Sequence, residues 1–273
     1  MMNKIETHTG FVTAGATKLA YEQAGTGEAV VLLHAGVADQ RMWDEQFLAL
    51  ARHYRVLRYD RRGFGQSSPV ADPFAHHADL AALLTGLNIE QAHLVGCSAG
   101  GEVALDFALV YPARVLSLSL VSSSIGGFVP SGEPPQRVLA LFGALQQGDF
   151  DQAAELAAQI WLDGPQRSAA QTSPQVRERL QEMARDALPN FLLDPTLVQA
   201  LEPSATTRLA EVHCPTLVLV GTLDDPLIET MAEHLLADIP AARKVVMSDT
   251  AHFPNLENPN EFNRNLLDFL AQQ

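Results

Sequence analysis

The chain has no apolar run approaching the ~18–20 residues that a membrane span needs. Its first residues, Met1-Met2-Asn3-Lys4-Ile5-Glu6, lack the apolar stretch of a secretory leader. No membrane association and a cytoplasmic location are therefore expected. Cysteine is scarce: Cys97 and Cys214 are the only two in 273 residues. A chain of this length can bury a large core without a disulfide, which fits a reducing compartment. Positive charge is scarce too. Eighteen Lys and Arg face 32 Asp and Glu, a net charge of -14, with no basic cluster. Phosphate binding needs concentrated Lys or Arg, so nucleic acid is excluded as a partner. Zinc motifs, phosphate loops and dinucleotide fingerprints are absent; Gly63-x-Gly65 lacks the third glycine and its helix. The adjacent pair His76-His77 points two ways on a helix and makes a poor metal site. No cofactor and no metal are expected.

What is present is an alternation of strand and helix. Phe11 to Ala24 read as two short strands around Ala14-Gly15-Ala16. Ala29-Val30-Val31-Leu32-Leu33 is a continuous apolar run, the mark of a strand buried on both faces of a parallel sheet. Further strands are predicted at Arg55–Asp60, Ala92–Val95, Leu116–Val121, Thr216–Gly221 and Lys244–Met247. Helical spacing separates them, as in Leu80, Leu83, Leu84 and Leu87. The pattern predicts an α/β fold with a doubly wound, mostly parallel sheet. From about 128 to 212 no strand pattern occurs. Helical runs appear instead around Val138–Leu145, Ala153–Trp161, Val176–Leu188 and Thr196–Leu201, separated by prolines. Residues 126–212 are therefore expected to be an inserted helical cap, with 1–125 and 213–273 forming the core. The last helix should start at Asn258-Pro259, with Glu261 placed to close a capping box.

The chain is organised around Gly96-Cys97-Ser98-Ala99-Gly100, where a strand pattern meets a helical one. Gly96 and Gly100 remove Cβ atoms where backbone would strike backbone, and Ser98 is forced to the apex. This is the G-x-S-x-G nucleophile elbow. A serine hydroxyl needs a base, and the base needs an orienting group. Two late loops, each just after a predicted parallel strand, supply them: Gly221-Thr222-Leu223-Asp224-Asp225-Pro226 and Ser248-Asp249-Thr250-Ala251-His252. His252 is the expected general base. The G-x-x-D offset favours Asp224 as its carboxylate, while Asp225 before Pro226 suits a helix start. Oxyanion donors are expected from the Ala99 N–H and from Gly36 after the third strand, with Val37 beside it. Val37, Phe128, Phe142 and Trp161 are candidate substrate-binding residues, and Leu139 and Met183 further candidate apolar walls of the pocket. Cys97 reads as a small packing residue.

These motifs resemble the alpha/beta-hydrolase superfamily along nearly the whole chain. They stand in its order: His34-Ala35-Gly36, Tyr59 to Ser67, the elbow, Gly221-x-x-Asp224 and Ala251-His252. His34 through Trp43 is similar to the matching loop of 3-oxoadipate enol-lactonases and small esterases. The resemblance implies Ser98 as nucleophile, Asp224 as acid, His252 as base, and Gly36 with Ala99 as oxyanion donors. It implies a cofactor-free serine hydrolase of a small ester or lactone. The alternative is a carbon–carbon bond hydrolase of meta-cleavage products, or a perhydrolase, on the same scaffold. The expected partners are a small-molecule ester or lactone substrate, no nucleic acid, no membrane and at most a second copy in a homodimer.

Overall fold

A computed structural model describes residues 5–273. The stretch Met1–Lys4, on which part of the leader reading rests, lies outside the described residues. Eight strands form one sheet: β1 (Thr7–Ala14), β2 (Thr17–Ala24), β3 (Ala29–Leu33), β4 (Arg55–Tyr59), β5 (Ala92–Cys97), β6 (Val115–Val121), β7 (Thr216–Gly221) and β8 (Ala242–Met247). Their spatial order is β1-β2-β4-β3-β5-β6-β7-β8. β1 pairs antiparallel with β2, and β2 with β4; every other pairing is parallel.

The helices are α1 (Asp44–Leu50), α2 (His76–Gly86), α3 (Ala99–Val110), α4 (Gln136–Gln146), α5 (Phe150–Ala157), α6 (Pro174–Ala187), α7 (Pro226–Asp238), α8 (Pro254–Glu257) and α9 (Pro259–Leu270). Every residue of β3, β5 and β7 is buried, because helices cover both faces of the sheet. Alternation along β3 sends its side chains into two cores. Val30 and Leu32 join Phe47, Leu50 and Phe262 on one face. Val31 and Leu33 join Leu80, Leu83 and Phe107 on the other. The first core continues into Leu141, Leu156 and Leu180 of α4, α5 and α6, so these helices share packing with the sheet.

β3 has β4 on one side and β5 on the other, so winding reverses there. In such sheets a crevice opens beyond the carboxyl ends of the strands at the reversal. The loop after β3 and the turn after β5 both face it.

Two local expectations are corrected. The run Thr196–Leu201 is not a helix; only a 3-10 turn at Pro195–Leu197 forms, because the backbone then runs extended beside Phe74, whose N–H donates to the Leu197 carbonyl and whose carbonyl accepts from Gln199 N–H. At α9, Asn258 does cap the Glu261 N–H. Glu261, however, accepts from the Asn258 side-chain amide at 2.7 Å rather than from its backbone.

Candidate active site

Ser98 sits between β5 and α3 with φ 53° and ψ -119°, in the left-handed region that favours glycine. The neighbours leave no other course. A Cβ at Gly96 would collide with the carbonyl of Gly100, and one at Gly100 with the carbonyls of Leu33 and His34. The Ser98 N–H is held by Val121 O at 2.9 Å. Its carbonyl accepts from Gly101, Glu102 and Ser124. A side chain locked into a strained turn by over-determined surroundings is typical of a working position.

The loops after β7 and β8 are pressed together, since a Cβ at Gly221 would strike the carbonyls of Thr250 and Ala251. Leu223 N–H donates to Thr250 O at 2.9 Å. This contact brings His252 Nδ1 to 3.0 and 3.1 Å from the two carboxylate oxygens of Asp224. Both side chains are almost fully buried. Asp225 turns the other way and caps α7 by accepting from Leu227 N–H at 2.8 Å. His252 Nε2 is buried and has no hydrogen-bond partner among the described residues. The Ser98 hydroxyl is therefore not bonded to it here, although the two loops share one sheet edge. Cys97, the residue before the serine, reaches the His252 carbonyl with its Sγ at 3.8 Å.

The histidine loop is also gripped by groups that no sequence motif signals. Its own N–H donates to the carbonyl of Trp161 at 3.2 Å. Trp161 lies in a π-helical turn, Ala158–Asp163, that extends α5; such turns are frequent at functional sites. Glu257 Oε1 accepts from Ala251 N–H at 2.8 Å. Its other oxygen pairs with Arg167 at 2.6 Å. Burial pushes the Glu257 carboxyl above its ordinary value, against the pull of Arg167.

Gly36 and Ala99 face each other: a Cβ on Gly36 would lie 3.6 Å from that of Ala99 and 3.8 Å from the ring of Phe191. Neither backbone N–H has an acceptor among the described residues.

A cavity of about 670 Å³ opens against His252 and Asp224. Its walls are the 130–135 loop, Val138, Ile160, Trp161, and Leu227 with Ile228 of α7. Of the expected lining residues, Trp161 is among these walls. The other expected lining residues are placed elsewhere. Phe128 stacks on His234, with ring centroids 5.3 Å apart, and packs on the second core. Phe142 lies exposed beside Phe191 at 6.3 Å. Val37 is buried in the first core. Leu139 is half exposed and Met183 is core. In the sequence the 130–135 loop carries only the mark of a proline separator, and Val138 and Ile160 only that of the helical runs in which they fall.

Cys97 is fully buried, and burial followed by the nearby charge of Asp224 pushes its thiol well above the ordinary range. Thiolate chemistry is suppressed there. No cluster of metal-binding side chains occurs among the described residues. No helix among them is long and apolar enough to cross a membrane.

The chain belongs to the alpha/beta hydrolase fold family, whose model matches residues 28–259; by family it is a hydrolase. It is 31% identical to a 2-hydroxy-6-oxononadienedioate/2-hydroxy-6-oxononatrienedioate hydrolase of Paraburkholderia xenovorans, over 94% of this chain and 92% of that one. It is 33% identical to a pimeloyl-[acyl-carrier protein] methyl ester esterase of Aeromonas hydrophila, over 89% of this chain and 96% of that one. Among solved structures, a thermophilic esterase from Thermogutta terrifontis superposes with a TM-score of 0.81 at 28% identity. That match covers 97% of this chain and 98% of the other.

Proposed function

We propose that the protein is a cofactor-free serine hydrolase of small, uncharged carboxylic esters or lactones. The observation that carries this is the His252 ring: Nδ1 is held by both oxygens of Asp224, and Nε2 is buried with no partner. The carboxylate fixes the tautomer with hydrogen on Nδ1, leaving Nε2 as a base. Ser98, held at the elbow on the same sheet edge, is the group with a proton to give. Hydrogen bonds of this kind are often long in a free enzyme and tighten with substrate.

In the proposed cycle Ser98 Oγ attacks the carbonyl carbon while His252 Nε2 takes its proton. The N–H groups of Gly36 and Ala99 receive the developing oxyanion. The tetrahedral adduct collapses, and His252 returns the proton to the leaving alkoxide. Water, deprotonated by His252, then attacks the acyl-enzyme and releases the acid. The helices between β6 and β7 act as a cap, with Val138, Ile160 and Trp161 forming apolar walls.

A second reading, carbon–carbon hydrolysis of a meta-cleavage product, is favoured by the name of the Paraburkholderia relative. The cavity against His252, whose walls do not include Ser98, speaks against a dioate as substrate. A dioate brings two carboxylates. Among the described residues lining the cavity there is no Lys or Arg, while Glu133, Asp224 and Asp225 are present.

The test compares p-nitrophenyl butyrate with a 2-hydroxy-6-oxo-dienoate in the wild type and in Ser98→Ala. The ester should turn over faster, and the variant should lose that activity while keeping its fold. Undiminished ester hydrolysis by Ser98→Ala would end the serine reading. A preference for the dienoate by orders of magnitude would replace the ester with the second reading.

A further inference from the structure

Two adjacent arginines follow β4, and the structure treats them differently. Arg62 has a carboxylate: Asp79 accepts from its Nη2 at 2.6 Å and its Nε at 2.9 Å. That pair ties the loop to α2. Arg61 is only 3% exposed, yet no carboxylate lies within ion-pair distance of it among the described residues. Its guanidinium rests over the Phe64 ring at 4.6 Å. Its Nε has no partner. Its one hydrogen bond from the guanidinium runs from Nη2 to the carbonyl of Ala35 at 3.2 Å. Glu102 acts on it only from beyond ion-pair distance; a buried cation without a direct ion pair is costly, and apolar side chains of similar size normally serve packing better.

The rest of the contact set converges on the same carbonyl. His34 Nδ1 lies 2.8 Å from Ala35 O, and Ala38 N–H donates to it at 3.3 Å. The Arg61 backbone N–H donates to His34 Nε2 at 3.0 Å. An imidazole that accepts at Nε2 and donates at Nδ1 must be neutral. Burial, with Arg61 beside it, lowers the His34 pKa well below its ordinary value and so favours that form.

Ala35 O and the Gly36 N–H are the two ends of one peptide. In a trans peptide they point in opposite directions. Fixing the carbonyl toward Arg61 fixes the N–H away from it. A charged donor on the oxygen also draws electron density from the nitrogen, making the N–H a stronger donor; hydrogen bonds in a chain polarise one another in this way.

We propose that Arg61 is a positioning residue for the oxyanion site. Through the Ala35–Gly36 peptide it orients and polarises the Gly36 N–H. This rests on the reading of Gly36 as an oxyanion donor in a serine hydrolase. Arg61 itself does not touch substrate. Its effect belongs to states that carry negative charge on the former carbonyl oxygen, not to the bound ester.

The test uses Arg61→Met and Arg61→Gln in the full chain. The readouts are steady-state ester hydrolysis and inhibition by an aryl trifluoromethyl ketone. Ser98 Oγ adds to that ketone carbon, its proton passes to His252, and the resulting oxyanion occupies the proposed site. Removing an oxyanion donor outright typically costs about 10²–10³ in rate. Weakening one should cost Arg61→Met about tenfold in kcat and about tenfold in ketone affinity, with KM within twofold. Arg61→Gln, which keeps a neutral donor, should fall between the two. A role confined to folding would move the melting temperature without this split.

If Arg61→Met is recovered unfolded, Arg61→Gln is read alone. A severalfold loss of ketone affinity at constant KM supports the proposal; wild-type affinity overturns it. Ser98→Ala serves as the control on the underlying reading. Turnover surviving in Ser98→Ala sinks the serine mechanism itself. Turnover lost there but unaffected by both Arg61 variants sinks only the role of Arg61.

Discussion

Asp106→Asn should stabilise the protein, and only above a particular pH. Asp106 lies one turn beyond Glu102 on α3, and the two carboxylates flank Gly126. A Cβ at Gly126 would sit 3.4 Å from Asp106 Oδ1 and 3.5 Å from Glu102 Oε1. Oδ1 of Asp106 is buried with no partner. Burial first, then the charge of Glu102, pushes the Asp106 carboxyl up to about 7, while Arg208 pulls the other way. Between about pH 4 and 7 the unfolded chain has released this proton and the folded chain has kept it. Stability therefore falls with rising pH across that window and levels off above 7. Each unit of separation is worth about 1.4 kcal/mol. From 3.8 to about 7, the ceiling is about 4 kcal/mol at pH 8. Water at the open part of the carboxylate reduces this to about 1–3 kcal/mol. Asparagine has no charge to bury and brings an amide that can donate to Glu102. Urea denaturation followed by the fluorescence of Trp43 and Trp161 measures the effect at pH 4, 5.5, 7 and 8. The variant should equal the wild type at pH 4 and gain over it as pH rises. A difference independent of pH, or a variant less stable at pH 8, refutes the reasoning.

The remaining predictions concern the proposed chemistry. Asp224→Asn should lower kcat for ester hydrolysis by about 10³–10⁴ with little change in KM, because an amide no longer enforces the Nδ1–H tautomer; steady-state kinetics checks it, and a loss below tenfold would count against the assignment. Asp225→Asn should cost less than a factor of a few in the same assay, since Asp225 caps α7. Cys97, buried and with its thiol raised, should resist iodoacetamide in the folded protein and react after denaturation; mass spectrometry of the labelled peptide distinguishes it from Cys214, which is only partly buried.

Much of the architecture is legible because its causes are local. The apolar runs of β3, β5 and β7 say that both faces of the sheet are covered. Gly96 and Gly100 stand where the structure permits no Cβ. The choice between Asp224 and Asp225 was legible in part, since an Asp before a Pro that opens a helix is a natural cap. The walls of the cavity were not legible. Phe128 and Phe142 are large and apolar, but size does not say that a residue after a turn packs on the core, as Phe128 does, or which face of an inserted helix meets the crevice. The His252–Trp161 contact leaves no sequence trace, because it joins two backbone groups that every residue possesses. Glu257 was missed for a similar reason: an acid in a short turn carries no sign that it will hold the Ala251 N–H. Arg61 was hidden beside Arg62, since only burial and partners tell the two arginines apart.

The hydrogen bond from the His252 backbone to the Trp161 carbonyl carries a consequence for modularity. Inserted helices in such folds invite treatment as exchangeable lids, swapped to change which molecule fits. Here the π-helical turn that walls the cavity also tethers the loop bearing the imidazole, and Gly164 just beyond it leaves no room for a side chain against the Leu223 carbonyl. A chimera that replaces this segment would detach one anchor of the proposed base along with the old pocket. On the proposed chemistry, selectivity and turnover would be coupled through this one backbone contact, and drift in one during evolution would drag the other with it.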